Sequence, residues 1–161
     1  MPELRIDSRS ASSFVGTYGP LLVSTWDGTP DREGFSRIQA ATEQLLEEHG
    51  STCALTILRG HVPMSIEPEA RKLSEEVTRR FRETNVAGCV VISAEGMRAS
   101  FMRTVLAGIN IVARNPAPMG VTRTVEEGID FLARHDPRLD GEQHRVVTAV
   151  LNEIGQLADE R

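Results

Sequence analysis

Two runs in this chain, STCALTIL (residues 51–58) and VAGCVVIS (residues 86–93), are β-prone and show no regular polar alternation. A strand with one face in water alternates apolar and polar residues, so strands without that alternation are expected to be covered on both faces, as in a parallel sheet flanked by helices. The segment between them changes period. Ala70, Leu73, Val77 and Phe81 share one helical face, and the charges of RKLSEEVTRRFRE occupy the outside, where they also pair at i to i+4. A strand, a helix and a strand in that order imply a crossover unit, which restricts the fold to a sheet with helices packed against it.

The same rhythm extends in both directions. FVGTYGPLLVSTWDG reads as a hairpin with strands near 14–18 and 21–26, broken by the Gly19-Pro20 turn signal. Pro30 and Asp31 then open a helix whose Ile38, Ala41, Leu45 and Leu46 fall on one face and whose stop is Gly50. Downstream, MRASFMRTVLAGINIVAR (97–114) predicts a helix, MGVTRT (119–124) a short strand and VEEGIDFLARH (125–135) another helix. Past Pro137, Asp140 with Gln143 has the form of a capping box, and Val147, Val150, Ile154 and Leu157 recur at spacings of three and four in a last helix. The expected architecture is α/β: a mixed, mostly parallel sheet of about five strands with helices on both faces, plus an extra C-terminal helix. Residues 1–12, polar and serine-rich, are expected to be a flexible arm, 13–136 the α/β domain and 137–161 a helical extension.

Composition narrows the function classes. Lys plus Arg is 18 and Asp plus Glu 23, a net charge of −5, and the arginines are spread along helices among glutamates. Nucleic-acid binding needs a basic patch or stripe, so no nucleic-acid partner is expected. No apolar run approaches the roughly 18 residues of a membrane span, and MPELRIDSRSASS has no apolar region of the secretory-signal kind, so a cytoplasmic protein without a membrane partner is expected. Cys53 and Cys89 each fall inside a predicted strand, which reads as two reduced core thiols and not as a disulfide framework or a metal knuckle.

The element order ββαβαβαβα, together with the phrase NPAPMGVTRTVEEGIDFL, resembles the STAS domain of bacterial anti-sigma-factor antagonists and their SpoIIAA-like relatives over about residues 13–134. The resemblance implies that fold and a regulatory partner. In that family a D-S-S/T-G phrase precedes the second helix and its serine or threonine is phosphorylated by a partner kinase. The matching place here reads HVPMSIEPEA, where Ser65 corresponds but the aspartate before it and the glycine after it are absent. The resemblance therefore carries the fold further than the switch.

Read from its neighbours, Ser65 precedes a helix and suits the orphan N–H groups of the first turn, while Glu67 and Glu69 suit the positive end of the helix dipole. Pro68 is tolerated in a first turn but, placed at N1, would move the cap to Glu67. Capping alone explains the serine. Phosphorylation of Ser65 is the second reading, opposed by the two glutamates. Nucleophilic catalysis is the third. PMSIE lacks the glycine elbow that exposes a catalytic serine, and His61 is near only in sequence. No catalytic residue is assigned. His49 and His135 read as helix C-terminal residues, and His144 lies in the last helix. No H-x-x-x-H, H-E-x-x-H or C-x-x-C spacing, no G-x-x-x-x-G-K and no G-x-G-x-x-G is present, so neither a metal nor a cofactor is expected.

In an open parallel sheet, sites collect beyond the carboxyl ends of the strands, which here are WDGTPD, RGHVPMS and SAEGMR. Trp26, Asp27, Arg59, His61, Ser65, Glu95 and Arg98 are accordingly the candidate binding edge. The expected function is a non-enzymatic, bacterial-type regulatory or protein-interaction module with a protein partner. The alternative is a small-ligand binder or enzyme using the edge around His61 and Ser65. The helix over 97–114 carries two apolar rows, one with Met102 and Ile109 and one with Phe101, Val105 and Val112, more than one sheet face covers. The excess is covered either by the fourth or fifth helix of the same chain or by a second copy, and a homo-oligomer, a dimer formed on this helix, is the expectation because closed two-fold pairs are the commonest assembly.

Overall fold

A computed structural model of the chain describes residues 2–10, 12–27, 31–60, 68–93 and 117–159. Along the chain run β1 (Arg5–Arg9), β2 (Phe14–Tyr18), β3 (Leu21–Asp27), α1 (Arg32–His49), β4 (Thr52–Arg59), α2 (Pro68–Arg80), β5 (Asn85–Ile92), β6 (Met119–Thr122), α3 (Val125–His135), a 3-10 turn (Pro137–Leu139) and α4 (Gln143–Asp159). The described strands form one six-stranded sheet in the order β1-β2-β3-β4-β5-β6. β1, β2 and β3 pair antiparallel, and β3 through β6 are parallel.

Local chemistry sets the helix ends. The Asp31 side chain accepts from Gly34 N at 2.8 Å to start α1, and Gly50 N donates to the Leu46 carbonyl to close it. Thr124 Oγ1 accepts from Glu127 N at 3.1 Å to start α3, with Glu126 and Glu127 in the first turn and Arg134 and His135 in the last, each favoured by the helix dipole.

Period two in the central strands sorts their side chains onto two faces. The register Leu21↔Cys53, Val23↔Leu55 and Leu55↔Cys89 aligns one set of rows, which α3 covers with Val125, Ile129 and Leu132 and α4 with Val146, Val150 and Leu157. On the opposite face, Leu22, Trp26, Leu58 and Ile92 pack with Ala41 and Leu45 of α1. Parallel neighbours joined in sequence order need crossovers on a common side, and α1 and α2 do pack together. Both cysteines are buried free thiols, their pKa values pushed up by burial.

Two expectations change. Residues 5–9, read as part of a flexible arm, form β1. Only Ile6 of that strand is apolar and Arg5, Asp7 and Arg9 alternate around it, so the strand depends on its ladder with β2 and on ion pairs from Arg9 to Glu153 and from Arg5 to Glu48, not on a hydrophobic pattern. The sheet consequently has six strands where about five were expected. Asp140 does not cap α4 either. Gly141 adopts φ +81°, which no first helical residue can have, and Asp140 instead ends the 3-10 turn through its N–H to the Pro137 carbonyl. The apolar stripe of α4 docks on the sheet, with Val146 added to the expected set and Val147 and Ile154 partly buried at its margin. Tyr18 Oη donates to Glu142 Oε2 at 2.8 Å at the start of that helix. Burial, and then this hydrogen bond, push the phenol pKa up to about 12. The predicted helix over 97–114, and with it Phe101, Met102, Val105, Ile109 and Val112, lies outside the described residues.

Candidate functional site

The parallel register brings the ends of β3 and β4 side by side, with Trp26 opposite Leu58 and Asp27 opposite Arg59, while Leu58 lies opposite Ile92 at the end of β5. Because β2 runs antiparallel to β3, its first residue Phe14 pairs with Thr25, and the serine-rich turn that joins β1 to β2 arrives at this same edge. Of the expected edge residues, Trp26, Asp27 and Arg59 are therefore neighbours. His61, Ser65, Glu95 and Arg98 lie outside the described residues.

The side chains at this edge do different things. Trp26 is 7% exposed and lies under α1, so close to Gly34 that a Cβ there would fall 2.6 Å from the indole ring. Its Nε1 is buried without a hydrogen-bond partner among the described residues. Asp27 is exposed, and its carboxylate fills the space where a side chain on Gly60 would stand: a Cβ would lie 2.2 Å from Asp27 Oδ1. Gly60 also has φ +66°, a left-handed backbone conformation that favours glycine. Arg59 turns back over the sheet. Its Nε donates to Thr25 Oγ1 at 3.1 Å and its Nη2 to the Ser12 carbonyl at 2.6 Å, which ties the serine turn to the end of β3.

Between the serine turn and the first turn of α1 lies a cleft of about 240 Å³, lined by Ser10, Ser12, Ser13, Trp26, Asp27, Asp31, Glu33, Gly34 and Arg37. Hydroxyls and carboxylates dominate it. Asp31 is engaged as the cap of α1, and Glu33 Oε1 accepts from Arg37 Nη2 at 2.6 Å. Such a lining suits hydrogen-bond donors and cations on a partner and offers no activated nucleophile. Among the described residues, no group of three or more His, Cys, Asp or Glu side chains is placed to hold a metal ion. Sequence reasoning missed Ser10, Ser12 and Ser13, whose one signal was the turn-forming phrase SRSASS.

Beyond the site, the arrangement of strands and helices has a counterpart among solved structures. An uncharacterized protein of the DUF3478 family from Shewanella loihica, described as having a SpoIIAA-like fold, matches with a TM-score of 0.52 and 15% sequence identity, over 82% of this chain and 95% of that one. The fold is SpoIIAA-like. At that identity the likeness extends to the SpoIIAA-like fold and not to residue roles. No family model matches the chain, and no curated protein matches it. No helix among the described residues is long and apolar enough to cross a membrane.

The unpaired indole N–H has a measurable consequence. Replacing Trp26 with Phe removes contacts against Gly34 but also an unsatisfied donor whose burial costs about 1–3 kcal/mol, so the two changes offset and a net loss below about 1.5 kcal/mol is expected in urea unfolding. A loss above about 3 kcal/mol, the scale of deleting a well-satisfied aromatic side chain, would show that the N–H is paired in solution.

Proposed function

We propose that this chain is a non-enzymatic interaction module of regulatory type, which presents the carboxyl-terminal edge of its sheet to a protein partner. The observation that carries the reading is Arg59. Its guanidinium donates to Thr25 and to the Ser12 carbonyl, which braces the rim of the serine-lined cleft against the end of the sheet. The cleft itself, at about 240 Å³, falls below the roughly 300–1,000 Å³ of small-molecule sites and is polar where those are mostly apolar. A polar cleft beside a turn on a covered sheet is a form that protein recognition uses.

The test compares baits. The full chain, a Ser12→Arg variant that places a long cation at the mouth of the cleft, and a Glu47→Lys control at the far end of α1 are each immobilised and exposed to lysate of the encoding cells, with quantitative mass spectrometry of what is retained. A protein held by the wild type and by Glu47→Lys, but reduced about tenfold or more by Ser12→Arg, is the expected result. If no retained protein depends on Ser12, while a small-molecule extract raises the unfolding temperature of the wild type but not of Ser12→Arg, the ligand-binding alternative replaces this reading.

A further inference from the structure

We propose that the outer edge of β6 takes an extended, lysine- or arginine-bearing segment of a partner protein by strand addition, at a surface separate from the serine-lined cleft. The two ends of the sheet are protected unequally. β1 carries Arg5, Asp7 and Arg9 and a register irregularity between Ile6 and Ser8, devices that discourage edge-to-edge pairing. β6, Met119–Thr122, has no charged residue and an uninterrupted register with β5, and among the described residues β5 is the only strand it pairs with. Gly88 N donates to the Pro118 carbonyl at 3.0 Å. Backbone groups alternate along a strand, so Pro118, Gly120 and Thr122 face β5, and Met119 and Val121 direct their N–H and C=O groups outward.

The outward groups border a broad groove. It measures about 970 Å³ and runs between β6 and the outer flank of α3, past Phe131 to the 3-10 turn and the start of α4. The Phe131 ring lies against Gly120, where a Cβ would come within 3.0 Å of it, so part of an aromatic surface stands directly beside β6. Extended peptides are recognised in this way: main-chain hydrogen bonds to an edge strand supply affinity, and alternate side chains enter a flanking groove.

Charge selects the occupant. Among the described residues, Glu127, Asp130 and Asp140 line the groove with one cation, Arg134. Asp130 and Asp140 are exposed and have no ion pair among the described residues. A basic segment complements this lining. A second copy of the chain does not, because two β6 edges paired about a two-fold axis bring the same carboxylates together, an arrangement that costs free energy.

The experiment titrates the full chain into a fluorescein-labelled six-residue peptide of alternating valine and lysine and follows anisotropy. Saturable binding is expected, weakened at least about tenfold by combined Asp130→Lys and Asp140→Lys, and weakened as strongly when glutamate replaces the peptide lysines. Val121→Pro removes the outward N–H at a position where an edge strand tolerates proline, and it should abolish binding while leaving the far-ultraviolet circular dichroism intact. Should that variant unfold, a peptide N-methylated at alternate residues tests the same hydrogen bonds from the other side, with no binding expected. Equal binding of the N-methylated or glutamate peptide, or no saturable binding, overturns the proposal. A dimer seen by light scattering and lost in Val121→Pro would assign the edge to a second copy and overturn it as well.

Discussion

Deleting residues 140–161 is expected to abolish cooperative folding. Val146, Val150 and Leu157 of α4 are each 0% exposed, and they cover the sheet face that holds Phe14, Tyr18, Leu21 and Val23. Full burial of such a side chain is worth about 1.5–3 kcal/mol, so the three together, before the uncovered face is counted, contribute on the order of 5–9 kcal/mol. That is comparable with the whole stability of a domain this size, about 5–15 kcal/mol. The truncation also removes Glu142, which accepts from Tyr18, and Glu153, which pairs with Arg9, and so loosens β1 and β2. Expression of residues 1–139 should give insoluble protein, or soluble protein without a sigmoidal urea transition. A fragment that melts cooperatively within a few degrees of the full chain would show α4 to be dispensable.

The second large effect is expected at Asp136, which is 2% exposed at the junction of α3 and the 3-10 turn. Its carboxylate accepts from Arg138 N at 3.1 Å, from Arg138 Nε at 2.9 Å and from Arg138 Nη2 at 2.7 Å. Arg138 Nη1 in turn donates to the Ser51 carbonyl at 3.3 Å, which locks the junction to the start of β4. Breaking a buried pair by removing one partner costs about 3–5 kcal/mol, but the Arg138 side chain is 35% exposed and can rehydrate, so Asp136→Ala should cost about 2–4 kcal/mol. The effect carries a pH signature. Burial alone would raise the Asp136 pKa, but the side-chain and backbone hydrogen bonds from Arg138 and its charge outweigh burial and hold it below the ordinary value of 3.8. A carboxylate with a depressed folded-state pKa stabilises the fold fully above its unfolded pKa, and that contribution disappears as pH falls through the folded value. The stability gap between wild type and Asp136→Asn, measured by urea unfolding, should therefore be constant from pH 7 to about 5 and close progressively below about pH 4. A gap that stays constant to pH 2 would show that the carboxylate is not the stabilising group.

Much of the fold was legible from the residues. The hairpin read at 14–18 and 21–26, the strands read at 51–58 and 86–93, and the helices α1 and α3 announce themselves through apolar runs, helical periodicity and turn or capping residues, all of which act within a few positions of the chain, and each strand is found within one residue of its expected ends. The helix ends at His49 and His135 follow from the same local rules. Burial of Cys53 and Cys89 follows from their place in runs without polar alternation.

What the tertiary structure decided is pairing across long sequence separations. β1 reads as a polar arm because its stability comes from a ladder with β2 and ion pairs to Glu48 and Glu153, residues that no local pattern connects to it. Ser10, Ser12 and Ser13 reach the cleft only because β2 is antiparallel to β3 and returns its first residue to the carboxyl end of the sheet. Arg59, an expected edge residue, braces the Ser12 carbonyl, 47 positions away. The buried Asp136 holds Arg138, whose part-exposed side chain clamps the start of β4, a link that nothing local in DPRLD announces. That β6 ends the sheet among the described strands depends on strand order, which emerges only when the whole sheet assembles. Local propensity and periodicity act over a turn or a strand, whereas register, edges and clefts arise from contacts between segments that the chain brings together only on folding.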